Sequence, residues 1–192
     1  MATKPPLKLR SHPLTADRWP DLKKLFGPRG ACGGCWCMWW RLKHSDYLRG
    51  RGQANERAFQ RLVQSGVEPG LLFYARDQVM GWCAIAPRQD LVRFETARAL
   101  KPVDDQPVWS VTCFFVAREF RDRGVTRQML EAAAEFARRH GAKIVEGYPI
   151  DSAKKQAPVF VYTGLASMFR RAGFAEVARR APARPIMRKI LD

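Results

Sequence analysis

The sequence predicts a single α/β domain, residues 1–192, in which helices flank a central mixed β-sheet. The chain has 192 residues and is 46% hydrophobic, which is enough material for one sizeable core. β-prone runs alternate with amphipathic helical patterns, and no internal repeat interrupts them. A strand, a tight turn, a helix and a strand follow one another over residues 108–149, which predicts a βαβ unit with a right-handed crossover.

The first half of the chain contains the elements that we expect to begin the sheet. They are a strand at residues 7–10, helices at 17–26 and 55–64, and strands at 71–76 and 79–86. Thr15 and Asn55 are the predicted N-caps of the two helices, since each precedes apolar residues at helical spacing. Asp77 and Gln78 are expected to form the tight turn of an antiparallel hairpin between the two strands.

The second half contains the predicted βαβ unit and the end of the sheet. Its elements are a charged surface excursion at residues 88–107, a strand at 108–116, a helix from near 125 to 140, a strand at 143–149, a helix at 165–171, and strands at 174–179 and 186–190. One face of the long helix is apolar, and it is formed by Met129, Ala133, Phe136, Ala137 and His140. Long irregular connections such as residues 88–107 often carry function.

The composition limits the classes of function. With 34 basic and 18 acidic residues the formal charge is +16, which favours anionic partners: nucleic acid, an anionic membrane surface, an acidic substrate or a phosphorylated cofactor. A solvated arginine-rich surface without a dedicated partner is the alternative. The five cysteines are odd in number and no export signal precedes them, which argues against a disulfide framework. No apolar run is long enough to span a membrane, so we expect a cytoplasmic protein with reduced thiols.

One turn has the features of a phosphate-binding site. Between the strand ending at Val116 and the helix beginning near Val125, residues 121–126 are Arg-Asp-Arg-Gly-Val-Thr. A helix N-terminus has unpaired amide groups and a partial positive charge, so its backbone can hold a phosphate. Gly124 permits close approach, and the arginines and the Thr126 hydroxyl add donors that suit a pyrophosphate. A solvated helix start with arginines for solubility is the alternative.

Two landmarks resemble those of the GNAT superfamily of N-acetyltransferases. The first is Val-Ala-Arg-Glu-Phe-Arg-Asp-Arg-Gly-Val-Thr-Arg-Gln-Met-Leu at residues 116–130, which resembles the family's acetyl-coenzyme A (acetyl-CoA) signature. The second is Phe-Arg-Arg-Ala-Gly-Phe at residues 169–174, followed by Val177. The predicted order of elements is also similar to the GNAT fold, whose twisted sheet is mixed and mostly antiparallel. The resemblance implies an N-acetyltransferase in which a primary amine of a small molecule or protein attacks acetyl-CoA directly.

The resemblance also implies roles for the residues that match the motif. The backbone of Phe114, Phe115 and Val116 is expected to pair with the pantetheine arm, where the strands at 108–116 and 143–149 splay apart near a bulge. A main-chain amide near Phe115 is expected to polarise the thioester carbonyl. The pyrophosphate is expected to bind the amides of the turn, which belong to Arg121, Asp122, Arg123, Gly124, Val125, Thr126 and Arg127.

The groups that move protons depart from the family's pattern. Phe169 stands where many members have a tyrosine that protonates the leaving thiolate, and Thr126 replaces the usual glycine or alanine. The strand at 108–116 also lacks the usual glutamate. The candidate catalytic residues are therefore Glu146, Tyr162 and Ser110. Further candidates are Glu95, Asp46 and His44 as bases, Tyr148 and Ser167 as acids, and Cys113 beside the thioester. Surface charges and a relay through water are the alternatives.

The most unusual stretch is Cys-Gly-Gly-Cys-Trp-Cys-Met-Trp-Trp at residues 32–40, in an irregular segment at 30–41. Its Cys-x-x-Cys spacing suits a zinc or redox site, but only His44 is a conceivable fourth ligand and no second pair exists, so we expect no metal. The resemblance places this segment beside the acceptor site, which implies an acceptor wall formed by Trp36, Trp39, Trp40 and Arg41. Core packing of these aromatics is the alternative, as we expect for Trp82 and Trp109.

Two other classes of function compete with acetyl transfer. A nucleic-acid-binding module would explain the charge, but no helix-turn-helix, paired zinc ligands or RNA-binding aromatic motif accompanies it, so nucleic acid is not an expected partner. A protein that binds coenzyme A without catalysis would explain the missing strand acid and Phe169. Sheets of this type often pair through their last strands, so a homodimer through residues 186–190 is a further expectation.

Overall fold

The computed structural model describes residues 7–152 and 156–192. The expectation that no export signal is present rested on the first six residues, which lie outside these ranges. The strands are β1 (Leu9–Pro13), β2 (Gly70–Ala75), β3 (Gln78–Pro87), β4 (Trp109–Val116), β5 (Ile144–Gly147), β6 (Ala175–Ala181) and β7 (Arg184–Ile190). They form one seven-stranded sheet in the order β1-β2-β3-β4-β5-β7-β6. Only β4 and β5 are parallel neighbours, so the predicted mixed, mostly antiparallel sheet is confirmed.

Helices flank this sheet on both faces. They are α1 (Trp19–Phe26), α2 (His44–Gly50), α3 (Gln53–Gln64), α4 (Val125–Arg139) and α5 (Ala166–Arg171). The apolar face predicted for α4 is buried at Met129, Ala133, Phe136 and Ala137, while His140 lies exposed just beyond the helix. In the described ranges no helix has the length and apolar character needed to cross a membrane.

The region around Asn55 differs from the prediction. The helix α2 was not predicted, and α3 begins at Gln53, so Asn55 lies inside α3 rather than at its N-cap. Asn55 is 1% exposed, and its side-chain amide donates to the Tyr47 carbonyl at 3.3 Å. The polar side chain that suggested a cap therefore joins α3 to α2, because a buried amide needs a partner.

Turns and strand ends also differ from the prediction. Ala75 pairs with Gln78, so the hairpin turn consists of Arg76 and Asp77, one residue earlier than expected. The remaining differences are shifts of a few residues at the ends of β1, β5, β6 and β7. Thr15 precedes a short 3₁₀ turn rather than α1 itself, and its hydroxyl donates to Asp17 Oδ1 at 2.5 Å instead of capping a backbone amide.

Three apolar clusters make up the core. The first lies between the sheet and helices α4 and α5, and the second lies on the opposite face under α1 and α3. The third lies between the 88–107 excursion and the strands β5 and β7. Trp82 is fully buried as expected, whereas Trp109 is partly exposed and packs against Phe136 and His140 at the rim.

Candidate active site

β4 and β5 separate soon after they pair, and their separation leaves an opening in the middle of the sheet. The two strands pair at three positions, from Trp109 with Val145 to Val111 with Gly147. Next to this point the register of β4 against β3 shifts at Ala84, which marks a bulge that bends the strand. The backbone of β4 beyond Val111 therefore borders the opening that the resemblance implied.

The Phe169 ring fills the apex of this opening. Phe169 is fully buried, and its ring lies so close to Gly147 and Gly164 that a Cβ on Gly147 would be 2.1 Å from Phe169 Cε1. The ring also lies edge-on to Phe114, with 6.3 Å between the centroids. The side chain at the family's tyrosine position is thus an apolar wedge between the diverging strands.

Alternation along β4 decides which backbone groups face the opening. The Ala117 amide donates to the Met80 carbonyl of β3 at 2.9 Å. Along β4 every second residue before Ala117 therefore directs its amide toward β3, and the residues between them direct theirs away from β3. Phe114 is one of these, since its amide donates to the Tyr162 carbonyl at 2.6 Å. By the same alternation Val116 faces the opening, whereas the main chain of Phe115 faces β3.

The turn before α4 presents unpaired amides. Gly124 has φ +67° and Asp122 has φ +58°, and the two left-handed residues curl the backbone around the helix N-terminus. In the described part of the chain, no carbonyl or side chain accepts a hydrogen bond from the amides of Asp122, Arg123 or Gly124. Val125 and Thr126 are the first two helical residues, whose amides have no partner within a helix. Adjacent donors of this kind suit a phosphate oxygen.

The arginines of the turn take different positions. Arg121 Nε donates to the Val116 carbonyl at 2.9 Å, so its side chain spans from the turn to the end of β4. Arg127 Nε lies 3.5 Å from Glu131 Oε1 in an exposed pair. Arg123 forms no ion pair with any described residue. Two of the three cations are therefore near the free amides without a carboxylate partner.

Glu146 and Ser110, two candidate catalytic residues, lie in a buried network with Tyr148. The three residues are at most 1% exposed. The Tyr148 hydroxyl donates to Glu146 Oε1 at 2.5 Å and lies 2.9 Å from Ser110 Oγ. Arg88 and Arg188 hold the same carboxylate at 3.3 and 2.7 Å. Burial first, and then the charge of Glu146, raises the pKa of Tyr148 far above its ordinary value.

Tyr162, the third candidate catalytic residue, lies at the opening. Its carbonyl accepts the Phe114 amide, and its side chain packs with Trp39 against the third apolar cluster. Burial raises the pKa of Tyr162, and the positive charges of Arg184 and Arg93 oppose that rise. Neither arginine could be linked to Tyr162 from the sequence, because only the folded chain places their charges near its hydroxyl.

The aromatic residues of the 30–41 segment point to different places. Trp36 is 2% exposed and stacks on Trp19 at 6.0 Å between ring centroids, and Trp40 is 6% exposed and stacks on Phe94 at 4.7 Å. Both positions correspond to the core-packing alternative. Trp39 remains partly exposed and contacts Tyr162, so it is the tryptophan of this segment that borders the opening.

The thiols are divided between the two faces of the sheet, with Cys35 and Cys37 on the side of α1 and α3 and Cys83 on the side of α4. Trp82 Nε1 donates to Cys37 Sγ at 2.9 Å, and Cys113 on β4 is a direct neighbour of Cys37. Burial, followed by the contact with Cys113, raises the pKa of the Cys37 thiol well above its ordinary value. All five cysteines are free. Within residues 7–152 and 156–192, no group of three or more His, Cys, Asp or Glu side chains could hold a metal ion.

The remaining candidates lie at the surface or away from the opening. Arg41 is partly buried, and burial lowers its pKa while the charge of Asp90 opposes the change. Asp46 pairs with Arg49 on α2. The other candidate acids and bases are exposed, and these are His44, Glu95 and Ser167. The His44 ring packs edge-on against Trp39, with 5.8 Å between the centroids.

The comparison with protein-family models identifies one family. The family model described as the acetyltransferase (GNAT) family matches residues 36–154, which is more than half of the chain. No curated protein matches the sequence. Many solved structures share the fold, at low sequence identity.

Three of these structures illustrate the likeness. A GNAT-family acetyltransferase from Listeria monocytogenes has 12% identity and a TM-score of 0.59, with 96% of each chain covered. The PaiA N-acetyltransferase of Thermoplasma acidophilum, solved in complex with coenzyme A, has 12% identity and a TM-score of 0.53, with 96% of this chain and 100% of that one covered. A mosquito arylalkylamine N-acetyltransferase-like protein has 10% identity and a TM-score of 0.58, with the same coverage.

Proposed function

The chain belongs to the acetyltransferase (GNAT) family, and on this premise we propose that it transfers an acetyl group from acetyl-CoA to a primary amine. One observation carries the proposal. The opening between β4 and β5 leads to the turn at residues 121–126, where the amides of Asp122, Arg123 and Gly124 have no acceptor among the described residues. An extended arm that ends in a pyrophosphate matches an exposed strand edge followed by a helix N-terminus.

The pantetheine arm lies along the outward-facing backbone of β4 in this proposal. Phe114 and Val116 supply the main-chain groups that would bond to the arm. In the structure the Phe114 amide donates to the Tyr162 carbonyl instead, and the Val116 carbonyl accepts from the Arg121 guanidinium. Binding exchanges these contacts for contacts with the arm, and Arg121 is freed to join Arg123 at the pyrophosphate. The Phe114 or Val116 amide then polarises the thioester carbonyl.

Tyr162 is the proposed proton donor for the leaving thiolate. A tyrosine hydroxyl is protonated at neutral pH, as a general acid requires, and the backbone of Tyr162 already borders the opening. Glu146 and Ser110 reach the opening only through neighbouring groups, so we assign them positioning roles through Tyr148. The proton released by the amine passes to water.

The experiment is an acetylation assay with a panel of primary amines, in which the acetylated product is measured by mass spectrometry. The native protein is expected to acetylate at least one amine, and Tyr162→Phe is expected to lower kcat by roughly tenfold or more. Tyr74→Phe is the matched control, because Tyr74 lies on β2, away from the opening, and its hydroxyl donates to Asp21 of α1 at 2.7 Å. Coenzyme A binding without any product would instead identify a binding protein without catalysis.

A further inference from the structure

Arg93 is a cation held in place without a carboxylate partner. Its guanidinium carbon lies 3.6 Å from the centroid of the Trp39 ring. Its backbone amide donates to the Trp40 carbonyl at 3.2 Å, and this bond holds the 3₁₀ turn Val92–Glu95 against the 30–41 segment. No described carboxylate lies within ion-pair distance of Arg93.

The surroundings place this cation beside the reaction site proposed above. Trp39, on which Arg93 stacks, packs with Tyr162 against the same apolar cluster. Arg93 and Arg184 both act on the charge of that hydroxyl. Arg184 donates to the Tyr148 carbonyl at 3.2 Å and to Thr163 Oγ1 at 3.0 Å, again without a carboxylate. Two guanidinium groups without a carboxylate partner among the described residues therefore lie close enough to Tyr162 to influence its hydroxyl.

Arg88 lies on the same 88–107 excursion as Arg93, but the two arginines have different partners. Arg88 has its charge matched by Glu146 and also donates to the Leu100 carbonyl at 2.5 Å. Arg93 instead stacks on the Trp39 ring and has no carboxylate partner among the described residues. Stacking on an indole fixes the plane of a guanidinium and leaves its edge donors free for a planar anion.

We propose that the acceptor carries a carboxylate beside its amine, as an amino acid does, and that Arg93 binds this carboxylate. The inference rests on the proposed function and names its substrate class. A carboxylate fits the free fork of a guanidinium through two parallel hydrogen bonds. The same two cations lower the pKa of a nearby ammonium, so they favour the neutral amine that attacks the thioester. A simple amine would leave Arg93 unpaired.

The test compares each L-amino acid with its own amide, which keeps the side chain and the amine but removes the negative charge. kcat/KM is measured for both members of each pair at saturating acetyl-CoA. We expect the preferred amino acid to exceed its amide by about tenfold or more. Arg93→Gln is expected to abolish this preference mainly through KM, and Arg93→Lys to restore part of it, since lysine keeps the charge but not the fork.

Arg98→Gln is the matched control. Arg98 lies exposed on the same excursion and forms no ion pair with a described residue, so its loss removes one charge outside the opening. The preference for the amino acid is expected to survive in this variant. Thermal unfolding of all variants verifies that each is folded.

Two further results separate the inference from the proposed function. Tryptophan fluorescence is titrated with the same pairs, with and without coenzyme A, so that binding is scored even where no product forms. Equal binding of acid and amide, or a preference that Arg93→Gln leaves unchanged, overturns the inference while the acetyltransferase proposal stands. Failure of acetyl-CoA to bind contradicts the proposed function, and the titration without coenzyme A still decides the carboxylate preference.

Discussion

Glu146 is a buried carboxylate shared by two arginines, and removal of its charge tests whether its role is structural. Glu146→Gln leaves the partly buried Arg88 without a carboxylate partner among the described residues and leaves the buried Arg188 with Asp104 alone. We expect the free energy of unfolding to fall by about 3–5 kcal/mol, because an uncompensated buried charge is costly. Urea denaturation of the variant measures this loss.

Glu135→Gln is the control for Glu146→Gln. Glu135 pairs with Arg138 on the exposed face of α4, so its loss is expected to leave the urea midpoint almost unchanged. Equal midpoints for the native protein and Glu146→Gln would contradict a structural role for the network.

The buried thiol of Cys83 predicts a loss of stability at alkaline pH. Burial raises its pKa well above the ordinary value of 9.0, so the folded state keeps a proton that the unfolded chain releases. The stabilisation is complete below about pH 9 and is lost as the pH rises toward the folded-state pKa. Cys83→Ala is expected to make the fall in unfolding free energy above pH 9 shallower, by up to about 1.4 kcal/mol per pH unit.

Urea denaturation at several alkaline pH values measures this slope for each protein. Cys32→Ala removes an exposed thiol and serves as the control for the loss of a cysteine. A slope for Cys83→Ala equal to that of the native protein would show that the thiol titrates alike in both states.

At the scale of the elements, the separation of β4 from β5 depends on the contact between Gly147 and Phe169. Gly147→Ala forces a methyl group against the ring, and we expect it to destabilise the protein by about 1–3 kcal/mol. The double variant Gly147→Ala/Phe169→Leu is expected to lose less than the sum of the two single losses, since the smaller side chain leaves room. Chemical denaturation of the three variants checks this, and strict additivity would contradict the wedge.

Elements formed by local patterning were predictable from the sequence, and those that depend on tertiary contacts were not. The apolar spacing of α4 and the β-prone run of β4 are local signals, and so is Gly124 before the helix. The short helix α2 has one buried residue, Tyr47, so its sequence shows no apolar face. Asn55 precedes apolar residues at helical spacing and so looked like a cap. Its actual partner, the Tyr47 carbonyl, could not be predicted because it depends on how α2 packs against α3.

The same distinction applies to the candidate site. The turn at residues 121–127 is contiguous in sequence, so its chemistry could be proposed before the fold was known. Arg93, Tyr162 and Arg184 are far apart along the chain and meet only through the excursion, the segment after β5 and the start of β7. Likewise, Trp39 and Trp40 are adjacent in sequence, but one borders the opening and the other packs in the core.

At the scale of the whole molecule, the positive charge is divided between structural and free arginines. Arg188 joins Glu146 to Asp104, and Arg179 joins Asp151 to Glu176, so these cations hold elements together. Among the described residues, Arg121 and Arg123 lie along the proposed acetyl-CoA path without a carboxylate partner, and Arg93 and Arg184 lie in the same way at the proposed acceptor site. The net charge of +16 therefore accompanies a local positive field where we place an anionic cosubstrate.

The sheet also limits how two copies of the chain could associate. β7 pairs with β5 through residues 187–190 and with β6 through residues 184–188, so both of its edges are occupied only at Met187 and Arg188. A dimer remains a prediction, and one that extends the sheet would use the edge of β1 or that of β6, whose side chains are largely exposed.

The most direct test of the central claim is a calorimetric titration with acetyl-CoA at low salt. The native protein is compared with the double variant Arg121→Ala/Arg123→Ala and with Arg138→Ala/Arg139→Ala, which removes the same charge at the opposite end of α4. We predict micromolar binding that weakens about tenfold or more in the first variant and is kept in the second. Absence of binding to the native protein, or equal weakening in both variants, would contradict a cofactor site at the N-terminus of α4.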